Sequence, residues 1–136
     1  MTDYSPVATR LSSLAEADPR SEVCGFVVEG ASGKLEVVPV RNVAREGGQA
    51  FEADPAAHLA LSRRLRREGG RIAAVFHSHV DGPARLSASD LAGAVMGNGP
   101  ALPGADQIVL GLDAGKVMEV RVFRWSDSGF SPIADL

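Results

Sequence analysis

The residues with most chemistry to offer lie between Phe76 and Asp90, in the stretch FHSHVDGPARLSASD. His77 and His79 stand two apart at the end of an apolar run, Ile72-Ala73-Ala74-Val75-Phe76. That run reads as a buried strand, in which residues i and i+2 share a face and their Cβ atoms lie about 6.5–7 Å apart. Two imidazole nitrogens can then converge on one metal ion at about 2.0–2.1 Å each. After a turn-rich loop, Ser87 and Asp90 are spaced like the first turn of a helix. A carboxylate there could supply a third ligand and leave the fourth position to water, the outline of a catalytic zinc site. Upstream, Glu22 opens the otherwise apolar stretch EVCGFVV. A carboxylate near such a centre can take a proton from water and pass it to a leaving amine.

Each of these features has a plain structural alternative. A His-x-His pair in a strand also suits packed, hydrogen-bonded imidazoles that hold no metal. Ser-x-x-Asp is equally a capping box, with Ser87 at the N-cap and Asp90 reaching back from the third position. Capping does not exclude a metal role, because a first-turn carboxylate can face the sheet. Glu22 alone reads as a solvated strand end.

The elements that must position these groups follow from pattern. Ser5-Pro6 predicts a helix start, with Ser as cap, and Val7, Leu11 and Leu14 form one stripe before Asp18-Pro19. Glu22 to Val28 and Lys34 to Val40 predict a β-hairpin around the Gly30–Gly33 turn. Val43 to Ala50, with Gly47-Gly48, reads as a mobile loop, and Phe51-Glu52-Ala53 as a short extended piece. Asp54-Pro55 opens the best-marked helix, with Ala57, Leu61 and Leu65 on one face and Gly69-Gly70 at its end. A short helix with Leu91, Ala94 and Val95 follows the metal strand, ended by Gly97-Asn98-Gly99-Pro100. Gln107 to Leu112 and Val117 to Trp125 predict strands joined at Asp113-Ala114-Gly115. Met118, Val120 and Val122 should take the drier face of the second, and Glu119 and Arg121 the wetter one. The interleaving predicts an α/β fold, a single mixed β-sheet with helices packed against it. One domain over residues 1–125 is expected, with 126–136 as a loosely held tail.

The chain's 136 residues suit one domain, and its net charge of −3 gives no reason to expect nucleic-acid binding. Arg63, Arg64, Arg66 and Arg67 spread around a helix whose Leu61/Leu65 side is buried, so a solvated face is expected. His58 in that helix reads as surface or packing. No apolar run reaches the roughly 20 residues of a membrane helix. The start lacks the features of a signal peptide, so a cytoplasmic protein is expected. One cysteine, Cys24, allows no internal disulfide and no cysteine-rich zinc cluster, and reads as an inert buried thiol.

Taken together, Glu22, His77, His79, Ser87 and Asp90 resemble the JAMM (MPN-domain) metalloprotease pattern of an upstream Glu, His-x-His, about seven residues, and Ser-x-x-Asp. The segments EVCGFVVEG and FEADP also resemble that family, and the similarity runs from about Glu22 to Leu112. One departure is Val80, where the family usually has Pro; Pro83 comes later. The resemblance implies a cytidine-deaminase-like sandwich, with Zn²⁺ bound by His77, His79 and Asp90. It further implies Glu22 as general acid/base and Ser87 as donor to the developing oxyanion. It implies a peptidase or isopeptidase acting at the C-terminal tail of a ubiquitin-like protein, of the sulfur-carrier type for so short a chain. The alternatives are a non-catalytic MPN-type assembly module, or a JAMM peptidase with a phage-tail or cell-wall-linked substrate.

Overall fold

The computed structural model describes residues 2–44, 51–127 and 129–136. A 3-10 turn over Ser5–Val7 leads into α1, Ala8–Ala17. Pro6 lies in that turn as expected, but Ser5 makes no side-chain cap; Asp3 Oδ1 accepts the Ser5 amide at 2.9 Å instead. The predicted hairpin forms from β1, Cys24–Glu29, and β2, Leu35–Val40. Helix α2, Pro55–Glu68, is capped by the Asp54 side chain on the Ala56 amide and closed by Gly69 at φ 77°. Then come β3, Arg71–His79, and α3, Ala88–Ala94. Two-residue strands β4, Val95–Met96, and β5, Gly99–Pro100, follow, and then β6, Asp106–Asp113. Two long strands complete the chain, β7, Lys116–Ser126, and β8, Gly129–Asp135. Of the loop expected over Val43–Ala50, residues 45–50 lie outside the described residues.

Three expectations change. The segment read as a loose tail is β8, paired antiparallel along β7 with a register shift at Val122/Phe123. The shift and the mixed polarity of GFSPIAD hide the alternation that would have marked it as a strand. Val95 leaves the helix for the β4–β5 hairpin, and Leu91 is exposed, so α3 is shorter and less buried than its apolar letters suggest. Met118 is 68% exposed although Val120 and Val122 are buried, because a register shift at Gly111/Leu112 gives β7 one extra residue there and puts Val117, not Met118, against the α1-side core.

The sheet runs β2-β1-β3-β6-β7-β8, with β3 and β6 parallel and the other neighbours antiparallel. Strand alternation sorts its side chains onto two faces. On one, Leu11 and Ala15 of α1 meet Val27, Phe76, Ile108, Leu110 and Val122. On the other, Leu61 and Leu65 of α2 meet Phe26, Val28 and Val75. Continuing the period along β3 carries His77 and His79 onto the α2 face. Beside them on β6, in register, stand Gln107 next to Val75, Val109 next to His77 and Gly111 next to His79. Among the described residues no helix is long and apolar enough to cross a membrane.

One buried polar knot ties the N-terminus to the sheet. Asp106 takes two bonds from the Arg124 guanidinium, at 2.8 and 2.7 Å, and one from the Tyr4 hydroxyl at 2.7 Å. Removing the carboxylate leaves the part-buried Arg124 guanidinium without these bonds, while the Tyr4 hydroxyl keeps the Ala73 carbonyl at 2.9 Å, a loss of about 1.5–3 kcal/mol. Asp106→Ala should therefore lower the denaturation midpoint clearly in a chemical melt. A midpoint unchanged from wild type would show that the knot carries no stability.

Candidate metal centre

Each side chain of the centre is delivered by a different local device. His77 is fully buried and His79 half-buried, both at the end of β3. Ser87 and Asp90 form the capping box of α3: Ser87 Oγ accepts the Asp90 amide and Asp90 Oδ2 accepts the Ser87 amide, each at 3.0 Å. Both readings of that spacing hold at once, because the same Oδ2 lies 3.0 Å from His77 Nε2 and 3.0 Å from His79 Nε2. Glu22 precedes β1 and is 4% exposed, not a solvated end. The next residue, Val23, is pinned to β3 by two bonds of 2.9 Å with Ser78, its amide to Ser78 Oγ and its carbonyl from the Ser78 amide. Asn42 donates to the Glu22 carbonyl at 3.0 Å. One ligand atom from each of Glu22, His77, His79 and Asp90 lies within 4.8 Å of all the others.

The donor geometry fits a zinc ion. The two Nε2 atoms are 3.2 Å apart and each is 3.0 Å from Asp90 Oδ2. A tetrahedral zinc about 2.0–2.1 Å from each donor requires edges of about 3.3 Å. His79 Nδ1 donates to the Pro83 carbonyl at 2.8 Å, since a carbonyl can only accept. With Nδ1 donating, His79 Nε2 either carries a second proton toward Asp90 or, in the neutral ring, offers its lone pair to a cation held between them. Burial holds His77 below its ordinary pKa and so neutral, the charge state in which an imidazole can bind a metal, although Asp90 pulls the other way. Its ring stacks on Phe51 at 4.1 Å between centroids, and its Nδ1 has no partner among the described residues.

The carboxylates differ in kind. Burial raises Asp90, but the hydrogen bonds from His77 and His79 outweigh it and hold that carboxyl well below the usual range. Its bond to Asp90 raises His79. Burial pushes Glu22 up to about 7, and its Oε1 has no hydrogen-bond partner among the described residues. Glu22, His79, Ser87 and Asp90 line one cleft of about 350 Å³ with Val80, Asp81 and Gly82. Ser87 accepts through Oγ but its own proton is uncommitted, free to be donated into that cleft. Cys24 is buried and its thiol pushed up to about 11 by burial and then by Glu22, so it is inert as expected.

Sequence reasoning missed how the loop after His79 is held. The Pro83 carbonyl fixes the His79 tautomer, the Ala84 amide donates to Glu119 Oε1 at 2.8 Å, and the Gly82 amide donates to the Leu112 carbonyl at 3.2 Å. Val80 in place of proline thus leaves a loop anchored by its own bonds. Gly111 beneath it must be glycine: a Cβ there would sit 2.7 Å from the Gly82 carbonyl oxygen and 2.8 Å from the Ala84 nitrogen. The sequence carries no signal for the pairing of Glu119 with Ala84, because it read Glu119 only as the wetter face of a strand.

Fold and cluster together define a mixed α/β protein with two histidines and two carboxylates gathered where they could hold a metal ion. A family model described as prokaryotic homologs of the JAB domain matches residues 5–124, and the chain belongs to that family. Over 55 residues it is 42% identical to the probable TtuB-protein conjugate cleaving protease of Thermus thermophilus, covering 40% of this chain and 37% of that protein. Over 78 residues it is 35% identical to the desampylase of Haloferax volcanii, covering 56% of each. The matched stretches thus span about a third to just over half the length of these relatives. Among solved structures, it is similar to a protein from Desulfitobacterium hafniense, with TM-score 0.73 and 23% identity, covering 95% of this chain and 86% of the other. A protein from Salinibacter ruber aligns with TM-score 0.65 and 21% identity over 98% and 89%. These two similarities bear on the fold.

Two outcomes follow from this geometry. Gly111→Ala should displace the 82–84 loop and release His79 Nδ1, weakening zinc binding about 10–100-fold in a competition titration with a chromogenic chelator; unchanged affinity would free the loop of that role. The second concerns pH. Glu22 rises from an ordinary 4.5 to about 7 in the metal-free fold, so its protonated form stabilises the fold. That contribution is complete below pH 4.5 and is lost as pH climbs through 7, to about 3 kcal/mol. Metal-free wild type should match Glu22→Gln in thermal midpoint near pH 4.5 and fall below it by pH 8. Parallel curves would mean the carboxyl is solvated.

Proposed function

We propose that this chain is a zinc-dependent peptidase or isopeptidase that hydrolyses an amide bond at the C-terminal tail of a ubiquitin-like protein of the sulfur-carrier type. The observation that carries the reading is the convergence of four donors within 4.8 Å beside a cleft that also presents an uncommitted serine proton. The names of the two curated relatives, one a conjugate-cleaving protease and the other a desampylase, support the substrate class. In this reading His77, His79 and Asp90 hold the ion. Zinc, when bound, supplies Lewis acidity and brings the pKa of water to about 7.

The chain's own groups do the rest. Glu22 receives the proton of the attacking water and returns it to the departing amine, a shuttle suited to a carboxyl whose burial lifts it toward neutrality. The Ser87 hydroxyl donates to the carbonyl oxygen as it gains charge, with Oγ held in place by the Asp90 amide. Pro83 keeps His79 in the tautomer that ligates through Nε2. The single buried cysteine, a free thiol, agrees with a cytoplasmic setting.

Protein purified without chelators should hold about one zinc per chain by elemental analysis, and His77→Ala should lose both metal and cleavage of a carrier-tail extension. Glu22→Gln should retain zinc and lose turnover, while Ser87→Ala should lower turnover about 10²–10³-fold. A Glu22→Gln variant cleaving at the normal rate would sink the mechanism. Well-folded protein that takes up no zinc would point instead to a non-catalytic assembly module.

A further inference from the structure

Next to the catalytic cleft, and sharing Asp90 with it, lies a second cavity of about 370 Å³. Its floor is a row of cross-strand neighbours, Phe26, Val75 and Gln107, on the α2 face of the sheet. His58 of α2 and Ala94 of α3 form facing walls, and Met96, 73% exposed, stands on the rim. Phe51 lines the cavity and stacks on the His77 ring, so the space abuts the metal cluster.

The feature that points to a ligand is Gln107. It is only 6% exposed, its amide makes no hydrogen bond to a described residue, and it lines this cavity beside Phe26, Val75 and Leu102. Its amide atoms are not sealed off, so their partners come from whatever fills the cavity. An amide offers both a donor and an acceptor, the complement of a peptide group. The apolar floor suits an aliphatic or aromatic side chain, and the carboxylates of Glu52 and Asp90 on the lining oppose an acidic one. The size lies in the range of ordinary ligand pockets.

We infer that this cavity is a specificity pocket, which takes one large apolar side chain of the substrate's extended tail while Gln107 hydrogen-bonds that residue's peptide group. This rests on the peptidase reading for its substrate, but the pocket can be tested apart from it. Two variants serve. Gln107→Leu removes the amide and should keep or raise the thermal midpoint. Gly93→Phe adds bulk on the cavity lining where a Cβ meets nothing within 4 Å, and improves the helix propensity of α3.

The experiment uses the zinc-loaded full chain and fluorogenic hexapeptides that are alanine except at one position, through which Leu, Phe or Asp is walked. At one position Leu should raise kcat/KM about tenfold over Ala, and Asp should lower it. For that peptide Gln107→Leu should raise KM about tenfold with kcat within about twofold, and Gly93→Phe should abolish the preference. Cleavage with no preference at any position overturns the pocket and leaves the peptidase standing. If no peptide is cleaved, fluorescence anisotropy of the labelled peptides on the metal-free chain decides. Tighter binding of a Leu peptide, lost in Gly93→Phe, upholds the pocket without the peptidase; equal or undetectable binding overturns it.

Discussion

The centre depends on one oxygen atom. Asp90 Oδ2 accepts the Ser87 amide and stands 3.0 Å from both ligating imidazole nitrogens. It therefore fastens the first turn of α3 to the end of β3, and a shift of the helix would undo the cap and the ligand set together. The cost of burying this carboxylate is offset by the imidazoles and the backbone amide, which hold it ionised. A divalent cation among these three atoms would take the place of the protons that the imidazoles otherwise turn toward Asp90.

Around that atom the sheet acts as a ruler. The parallel pairing of β3 with β6 sets Val109 against His77 and Gly111 against His79. The missing side chain at Gly111 lets the 82–84 loop descend until the Pro83 carbonyl meets His79 Nδ1. One step back along the same two strands, Val75 and Gln107 floor the neighbouring cavity. Ligand orientation and the shape of the adjacent pocket thus come from a single strand register, so changes in β6 reach both.

The two carboxylates show how environment divides similar groups between roles. Asp90 is surrounded by hydrogen-bond donors, which hold its carboxyl well below the usual range and keep it charged. Glu22 is equally hidden but has no donor at Oε1 among the described residues, so burial lifts it toward neutrality, where a proton can be both accepted and released. The intermediate position of His79, tied to a carbonyl on one side and a carboxylate on the other, links the two.

Much of this was legible in the chain because the signals are local. Strand period two put His77 and His79 on one face, Asp54-Pro55 and Gly69 bounded α2, and the Ser87–Asp90 interval fixed a capping box. What only the tertiary structure decided was everything that depends on contacts distant in sequence. Glu22 reads as a solvated strand end until Ser78 pins Val23 and burial closes over it. Glu119 reads as a wet strand position until the Ala84 amide lands on it, and Gln107 as an ordinary strand residue until the fold sets it on the lining of a cavity. Residues 129–135 read as tail because a register shift breaks their alternation, and pairing with β7 alone makes them a strand. Periodicity and capping act within a few residues and are written in the sequence; burial and register arise only when strands remote along the chain lie side by side.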